Sequence, residues 1–224
     1  AGRKPLGLST SEKEEIVEFL KSLSGDPIKV EVPKRLEYAV NKLPKYVEPD
    51  YKYPKRVPRT IPEKDIPPIG ALGEPPVPPD NPITDEKAEL GKLLFFDART
   101  SGDVSTSCAS CHDPLKGWCD GNDLSRGYPG TKHWRNSQTA INSPYFNKYF
   151  WAGSVTSLEK QAHSATTGNV AGNGDPMMIE ERLAQVPEYV RRFKKVFGTD
   201  LPLCPDYLRA VSTFERKYLI SRDT

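Results

Sequence analysis

Apolar residues along this chain recur at helical spacing, and no stretch of useful length alternates, so the pattern predicts an all-α protein. Ile16, Leu20 and Leu23 share one face of a first helix, bounded by a capping box from Ser11 and Glu14 and by Gly25 and Pro27. Thr84 is the predicted N-cap of a second helix through Leu90, Leu93 and Leu94 to Phe96. A third starts near Ser157 and carries Leu158 and Gln161, and a fourth spans residues 178–185. Pro187 sits at the first position of a fifth, which runs through Tyr189, Val190, Phe193 and Val196 and stops at Gly198. The last begins at Pro205, where Leu208, Val211, Phe214 and Tyr218 form a core stripe.

Between the first and second helices the periodicity disappears. About a dozen prolines lie between Pro44 and Pro82, which precludes helix interior or central strand. The chain therefore divides into a helical segment at 1–27, a proline-rich extended arm at 28–83, and a helical domain at 84–224. Tyr46, Tyr51, Tyr53, Ile66, Ile69 and Leu72 would anchor the arm as an ordered strap; a solvated linker is the other reading.

Composition narrows the function more by exclusion than by signal. The 224 residues carry a net charge of +2, which gives no electrostatic case for nucleic acid or an anionic membrane surface. No apolar run approaches the roughly 20 residues of a membrane span.

The strongest chemical signal is Cys108-Ala109-Ser110-Cys111-His112, because C-x-x-C-H is the attachment sequence of covalent c-type haem. One helical turn places both thiols at the same ring edge as thioethers, and the adjacent imidazole reaches the iron as proximal ligand. The expected cofactor is one covalent haem c. A zinc site using His112 or Cys119 and a thioredoxin-like redox pair are the alternatives, but neither a second ligand pair nor a βαβ setting is present. Thioether haem attachment is an export-side chemistry in bacteria, so the expected location is the periplasm or an equivalent exported compartment. There Cys119 and Cys204 would either form a disulfide or remain buried thiols.

The order of motifs from Leu90 onward resembles the N-terminal haem domain of bacterial di-haem cytochrome c peroxidases and MauG-like proteins. It runs Leu90-Gly91-Lys92-Leu93-Leu94-Phe95-Phe96-Asp97, Ser101-Gly102, the haem motif, Gly117-Trp118, Asp120-Gly121, Arg135-Asn136, Asn142, Phe146-Asn147 and Phe150-Trp151. Ser157 to Ala162, Val186-Pro187-Glu188-Tyr189 and Phe214-Glu215-Arg216 continue it, so the match covers about residues 82–222. The resemblance implies a cytochrome c-like haem domain, with Trp151 as the residue between two haems and Gln161 lining the peroxidatic pocket. On the residues alone, Trp151 also reads as a core or interface indole and Gln161 as a solvent-facing helical side chain.

Departures from the family pattern concentrate around the reactive side of the haem. Trp151-Ala152-Gly153-Ser154 stands where the family carries Trp-Asp-Gly-Arg, so two charges are lost. The pocket glutamate has Asp175, before Pro176-Met177, as its nearest candidate for acid–base work. Tyr128 occupies the family's distal histidine position and His133 follows five residues later. Either is a candidate distal ligand, and His163, Met177, Met178 or an open site complete the alternatives.

The opening helix resembles the C-terminal helix of a cytochrome c domain without its own haem motif, and the chain stops where a family member would enter a second haem domain. A processed piece of a longer chain or a split subunit is therefore expected. These features put first an electron-transfer or structural redox subunit of a hetero-oligomeric multi-haem assembly, partnered by another haem-bearing chain or cytochrome. An active hydrogen-peroxide-reducing enzyme or MauG-like oxidase, completed by a second haem on another chain, stands second.

Overall fold

The computed structural model describes residues 7–22, 29–33 and 71–221. Its elements are α1 (Thr10–Ser22), α2 (Asp85–Phe96), α3 (Cys108–Cys111), α4 (Leu158–Thr167), α5 (Pro176–Ala184), α6 (Pro187–Phe197) and α7 (Cys204–Tyr218), with short 3-10 turns at Ala98–Thr100, Pro114–Lys116 and Ser143–Tyr145. Among the described residues there is no strand. Three isolated bridges, Asp113 with Cys119, Arg126 with Lys132 and Tyr149 with Val155, close loops.

The helix boundaries follow local chemistry. Thr84 caps α2 by accepting from Lys87 N, and Ser157 caps α4 by accepting from Lys160 N. Gly198 ends α6 at φ +74°, a left-handed conformation that a Cβ disfavours. The α1 cap lies two residues earlier than its sequence pattern suggested: Glu12 Oε2 accepts from Ser9 N and Ser9 Oγ at 2.8 Å each, and Glu12 N donates to Ser9 Oγ at 3.2 Å. Ser11 Oγ instead donates to Glu15 at 3.3 Å. The apolar positions of α1, Ile16, Val17, Phe19 and Leu20, are exposed. Leu23, Gly25 and Pro27 lie outside the described residues.

The core forms where α2 lies against α7, with α4, α5 and α6 around them. Leu90, Leu94 and Phe95 from α2 meet Tyr207, Val211 and Phe214 from α7, together with Ile179, Leu183, Tyr189 and Phe193. Each fully buried side chain of this kind contributes about 1.5–3 kcal/mol. The two helices approach so closely that a Cβ on Gly91 would lie 1.9 Å from the backbone oxygen of Ala210. The buried Asp97 carboxylate is matched: it accepts from Arg99 at 2.7 Å and from Tyr189 Oη at 2.8 Å.

Most of the proline-rich arm, including Tyr46, Tyr51, Tyr53, Ile66 and Ile69, lies outside the described residues. Its last part, residues 71–83, is irregular and tied to the domain. Tyr145 Oη donates to Gly73 O at 2.5 Å, and Asn81 Nδ2 donates to Glu159 at 2.9 Å and to Arg209 O at 3.1 Å.

Candidate cofactor site

The haem motif forms the short helix α3. Ser107 precedes it, its backbone N–H donating to Ser110 Oγ at 3.0 Å, and His112 N closes the turn on Cys108 O at 3.0 Å. Next, the chain turns through Gly117 and Trp118, both at positive φ. Such a conformation costs a bulky residue about 1–3 kcal/mol, so the surroundings must enforce it. They do: the Trp118 indole is buried against Phe95, Phe96 and Phe214, with ring centroids 5.9, 6.3 and 6.1 Å away. That packing directs the Trp118 carbonyl at His112, whose Nδ1 lies 3.0 Å from it, while Ala140 N donates to the same oxygen at 3.1 Å. A carbonyl only accepts, so Nδ1 carries the proton and Nε2 keeps its lone pair for a metal. Burial lowers the His112 pKa, outweighing the Trp118 carbonyl bond that raises it, and favours the neutral ring.

Cys108, Cys111 and His112 all line one cavity of about 520 Å³, a volume in the range of small-molecule and cofactor pockets. Burial pushes the Cys108 thiol up to about 12 and the Cys111 thiol up to about 11. Thiols raised in this way are not the low-pKa thiolates of a redox-active dithiol. Among the described residues, no group of three or more His, Cys, Asp or Glu is placed to hold a metal ion. Haem c fits instead. The wall offers apolar surface, two thiols beside one ligating imidazole, and the cations Arg126, Arg135 and Lys148 as complements for the propionates.

The structure brings only some of the other sequence candidates to this cavity. His133, Trp151 and Gln161 line it; Tyr128, Asp175, His163, Met177 and Met178 do not. Asp175 caps α5, its Oδ1 accepting from Met178 N at 3.0 Å, and is thereby committed to the helix end. Tyr128 is held by its backbone, which donates to Val170 O at 3.0 Å. Met177, Met178 and His163 are exposed. Trp151 is 51% exposed at the cavity rim and donates from Nε1 to Asn136 O at 3.1 Å.

His133 carries a more specific message. Its ring stacks on Trp134, with centroids 4.4 Å apart, and its Nδ1 accepts from Arg135 N at 3.2 Å. Burial lowers its pKa, which favours the neutral ring, and a neutral ring with Nδ1 accepting bears its proton on Nε2. As folded, His133 presents a hydrogen-bond donor and no free lone pair for iron.

Sequence reasoning missed Glu215 as a site residue. It is buried and is the single carboxylate among the described lining residues, accepting from Ser143 Oγ at 2.9 Å; burial pushes its pKa up to about 7. The signal was present in α7, because position 215 is i+4 from Val211 and falls on the same face. Cys119 and Cys204 are both free thiols, so of the two alternatives the structure has the unbridged one; Cys204 is buried, and Cys119 is partly exposed and donates to Lys116 O at 2.9 Å.

Residues 85–224 match the family model described as di-haem cytochrome c peroxidase. The chain is 60% identical over 151 residues to cytochrome-c peroxidase IdrP1 of Denitromonas iodatirespirans, covering 67% of this chain and 40% of that protein. It is 37% identical over 142 residues to the methylamine utilization protein MauG of Methylorubrum extorquens, covering 63% of this chain and 40% of that protein. The chain thus spans about 40% of the length of these relatives. A solved MauG-like protein associated with microbial copper homeostasis superposes with a TM-score of 0.62 at 30% identity, covering 70% of this chain and 46% of that one. The di-haem peroxidase BthA of Burkholderia thailandensis shares the fold, at a TM-score of 0.52, 19% identity and coverage of 67% of this chain and 46% of that one. With haem c as the cofactor that the site accommodates, the chain belongs to the di-haem cytochrome c peroxidase family.

Proposed function

We propose that this chain is the peroxide-reactive haem domain of a c-type peroxidase whose second haem is carried by another segment or chain. The electron-transfer role that the departures from the family pattern favoured becomes the second reading. Two observations reverse the order: the 60% identity to a cytochrome-c peroxidase, and the donor character of His133. The second carries the mechanism, because a donor beside the cavity assists peroxide chemistry while a second axial histidine would block it.

Reduction of hydrogen peroxide consumes two electrons and two protons and yields two waters. Haem c, when bound, supplies the metal that binds the peroxide and accepts the electrons. Cys108 and Cys111 fix its ring, and His112 ligates through Nε2. His133 Nε2–H and the Gln161 amide are the neutral donors of the cavity wall to which we assign the orienting of a polar oxygen, among several others that line it. Exposed Trp151 lines the cavity, as do exposed Trp134 and Phe146, and in this reading it is the entry point for electrons from the second haem. Periplasmic residence and a haem-bearing partner belong to this proposal.

The test is the spectrum and peroxide reactivity of the haem-loaded protein and of His133→Ala. The expected result is an unchanged spin state and a peroxide reaction slower by about 100-fold, the scale of a lost proton-transfer group. A low-spin haem that His133→Ala converts to high-spin would establish electron transfer through bis-histidine ligation.

A further inference from the structure

Glu215 and Glu159 sit near the same arginine and are treated oppositely by the fold. The Arg216 guanidinium pairs with Glu159, at 2.5 Å to Oε1 and 3.1 Å to Oε2. Burial works against the charge on Glu159, but the hydrogen bonds from Arg216 and Asn81 outweigh it and hold the carboxyl below its ordinary value. Among the described residues Glu215 forms no ion pair. Its one side-chain hydrogen bond there comes from the neutral Ser143 hydroxyl, and burial drives its proton affinity up to the neutral range. A carboxyl so placed is poised between charged and neutral forms near pH 7, and it lines the cavity that fits haem.

We propose that Glu215 is a redox-linked proton site, taking up a proton when the haem iron in this cavity is reduced. The proposal rests on haem occupying the cavity. Reduction adds one electron to Fe(III) and removes one positive charge from a low-dielectric enclosure, which raises the proton affinity of a carboxylate within it. The balanced step is Fe(III) with Glu215 carboxylate, plus one electron from an external one-electron donor and one proton from solvent, giving Fe(II) with Glu215 carboxylic acid. Formal charge in the enclosure is thereby conserved across the redox step. This is a property of the domain separate from the donor role of His133.

The charged and titratable neighbours are accounted for. Arg216 on α7 favours the charged form, and Glu159 on α4 opposes it. Cys108 on α3 and Tyr149 in the loop between Ser143 and Val155 feel the Glu215 charge in return. Elsewhere on the cavity wall are His112, Cys111, His133, Arg126, Arg135 and Lys148, and α2 presents only Phe95 there. None of the interactions that perturb His112 involves Glu215.

The sign follows from the coupling. Because reduction brings proton uptake, raising the pH disfavours reduction between the pKa of the oxidised and of the reduced state. The reduction equilibrium constant falls by up to tenfold per pH unit in that window, 59 mV for one electron. Outside it Glu215 contributes no slope.

Potentiometric titration of the haem-loaded protein from about pH 5 to about pH 9 reads this directly. Glu215→Gln should lose the Glu215 segment of the slope, leaving only what the propionates and His133 contribute. Ser143→Ala removes the hydroxyl that stabilises the carboxylate and should move the window to higher pH without abolishing it. Redox-difference infrared spectra should show a protonated-carboxyl band that appears on reduction and is absent in Glu215→Gln. If Glu215→Gln keeps the wild-type pH profile, or if it cannot be loaded and Ser143→Ala leaves the window unmoved, the proposal is overturned. A pyridine haemochrome assay separates the premises: no haem on the wild-type protein removes the cofactor reading itself, whereas haem with an unaltered profile removes only Glu215.

Discussion

Where α2 meets α7 the contact is made by apolar side chains and one glycine, with polar groups paired at the margins. The wall of the cavity over residues 98–155 is made differently: short turns, isolated bridges and four non-glycine residues at positive φ, Val104, Trp118, Asn142 and Phe150. The helical layer gains its stability from burial, and it spends part of that stability holding the loop wall in conformations that loops do not adopt alone. Trp118 joins the two regions. Its indole belongs to the core and its carbonyl orients His112.

The comparison is broken most completely on the loop side. Replacing both Cys108 and Cys111 with serine removes both thioether bonds, so all haem should extract into acidified acetone, whereas none extracts from the wild type. Haem that stayed attached would refute the assignment of the site. On the helical side, Gly91→Ala forces a Cβ onto the Ala210 carbonyl, a backbone atom that moves only if a helix moves. The expected loss is about 3 kcal/mol, at the upper end of overpacking, read as a lowered denaturation midpoint. A midpoint equal to wild type would show that the crossing is looser than described. Ser157→Ala probes the border, since it removes the cap of the helix that carries Gln161 to the cavity. It should cost about 1 kcal/mol while leaving the haem spectrum unchanged; a spectral shift would show that the helix end also shapes the site.

Helix existence was legible in the sequence to within a residue or two, because the apolar face and the caps of a helix are set by neighbours three and four positions away. Thr84, Ser157, Pro187 and Gly198 all perform the roles their types and positions predicted. The α1 cap was misread because Ser9 and Glu12 offer the same pattern as Ser11 and Glu14, and local sequence does not rank two overlapping boxes. The haem motif was legible because its spacing is itself the chemistry. Asp175 looked like an acid for the pocket by order along the chain, and its side chain is instead engaged by the first turn of α5.

What the sequence determined by itself was therefore periodic or contiguous: the all-α class, the helix ends, and the thiol–thiol–imidazole unit at 108–112. Tertiary structure decided everything that depends on contacts remote in the chain. Which proton His133 bears depends on the Arg135 amide, and the tautomer of His112 on the Trp118 carbonyl. Among the described residues Glu215 forms no ion pair, since the Arg216 guanidinium is engaged by Glu159, 57 positions away. The physical reason is the same in each case: protonation and ligation are set by the field and hydrogen bonds of neighbours in space, and in a loop-built cavity those are not neighbours in sequence.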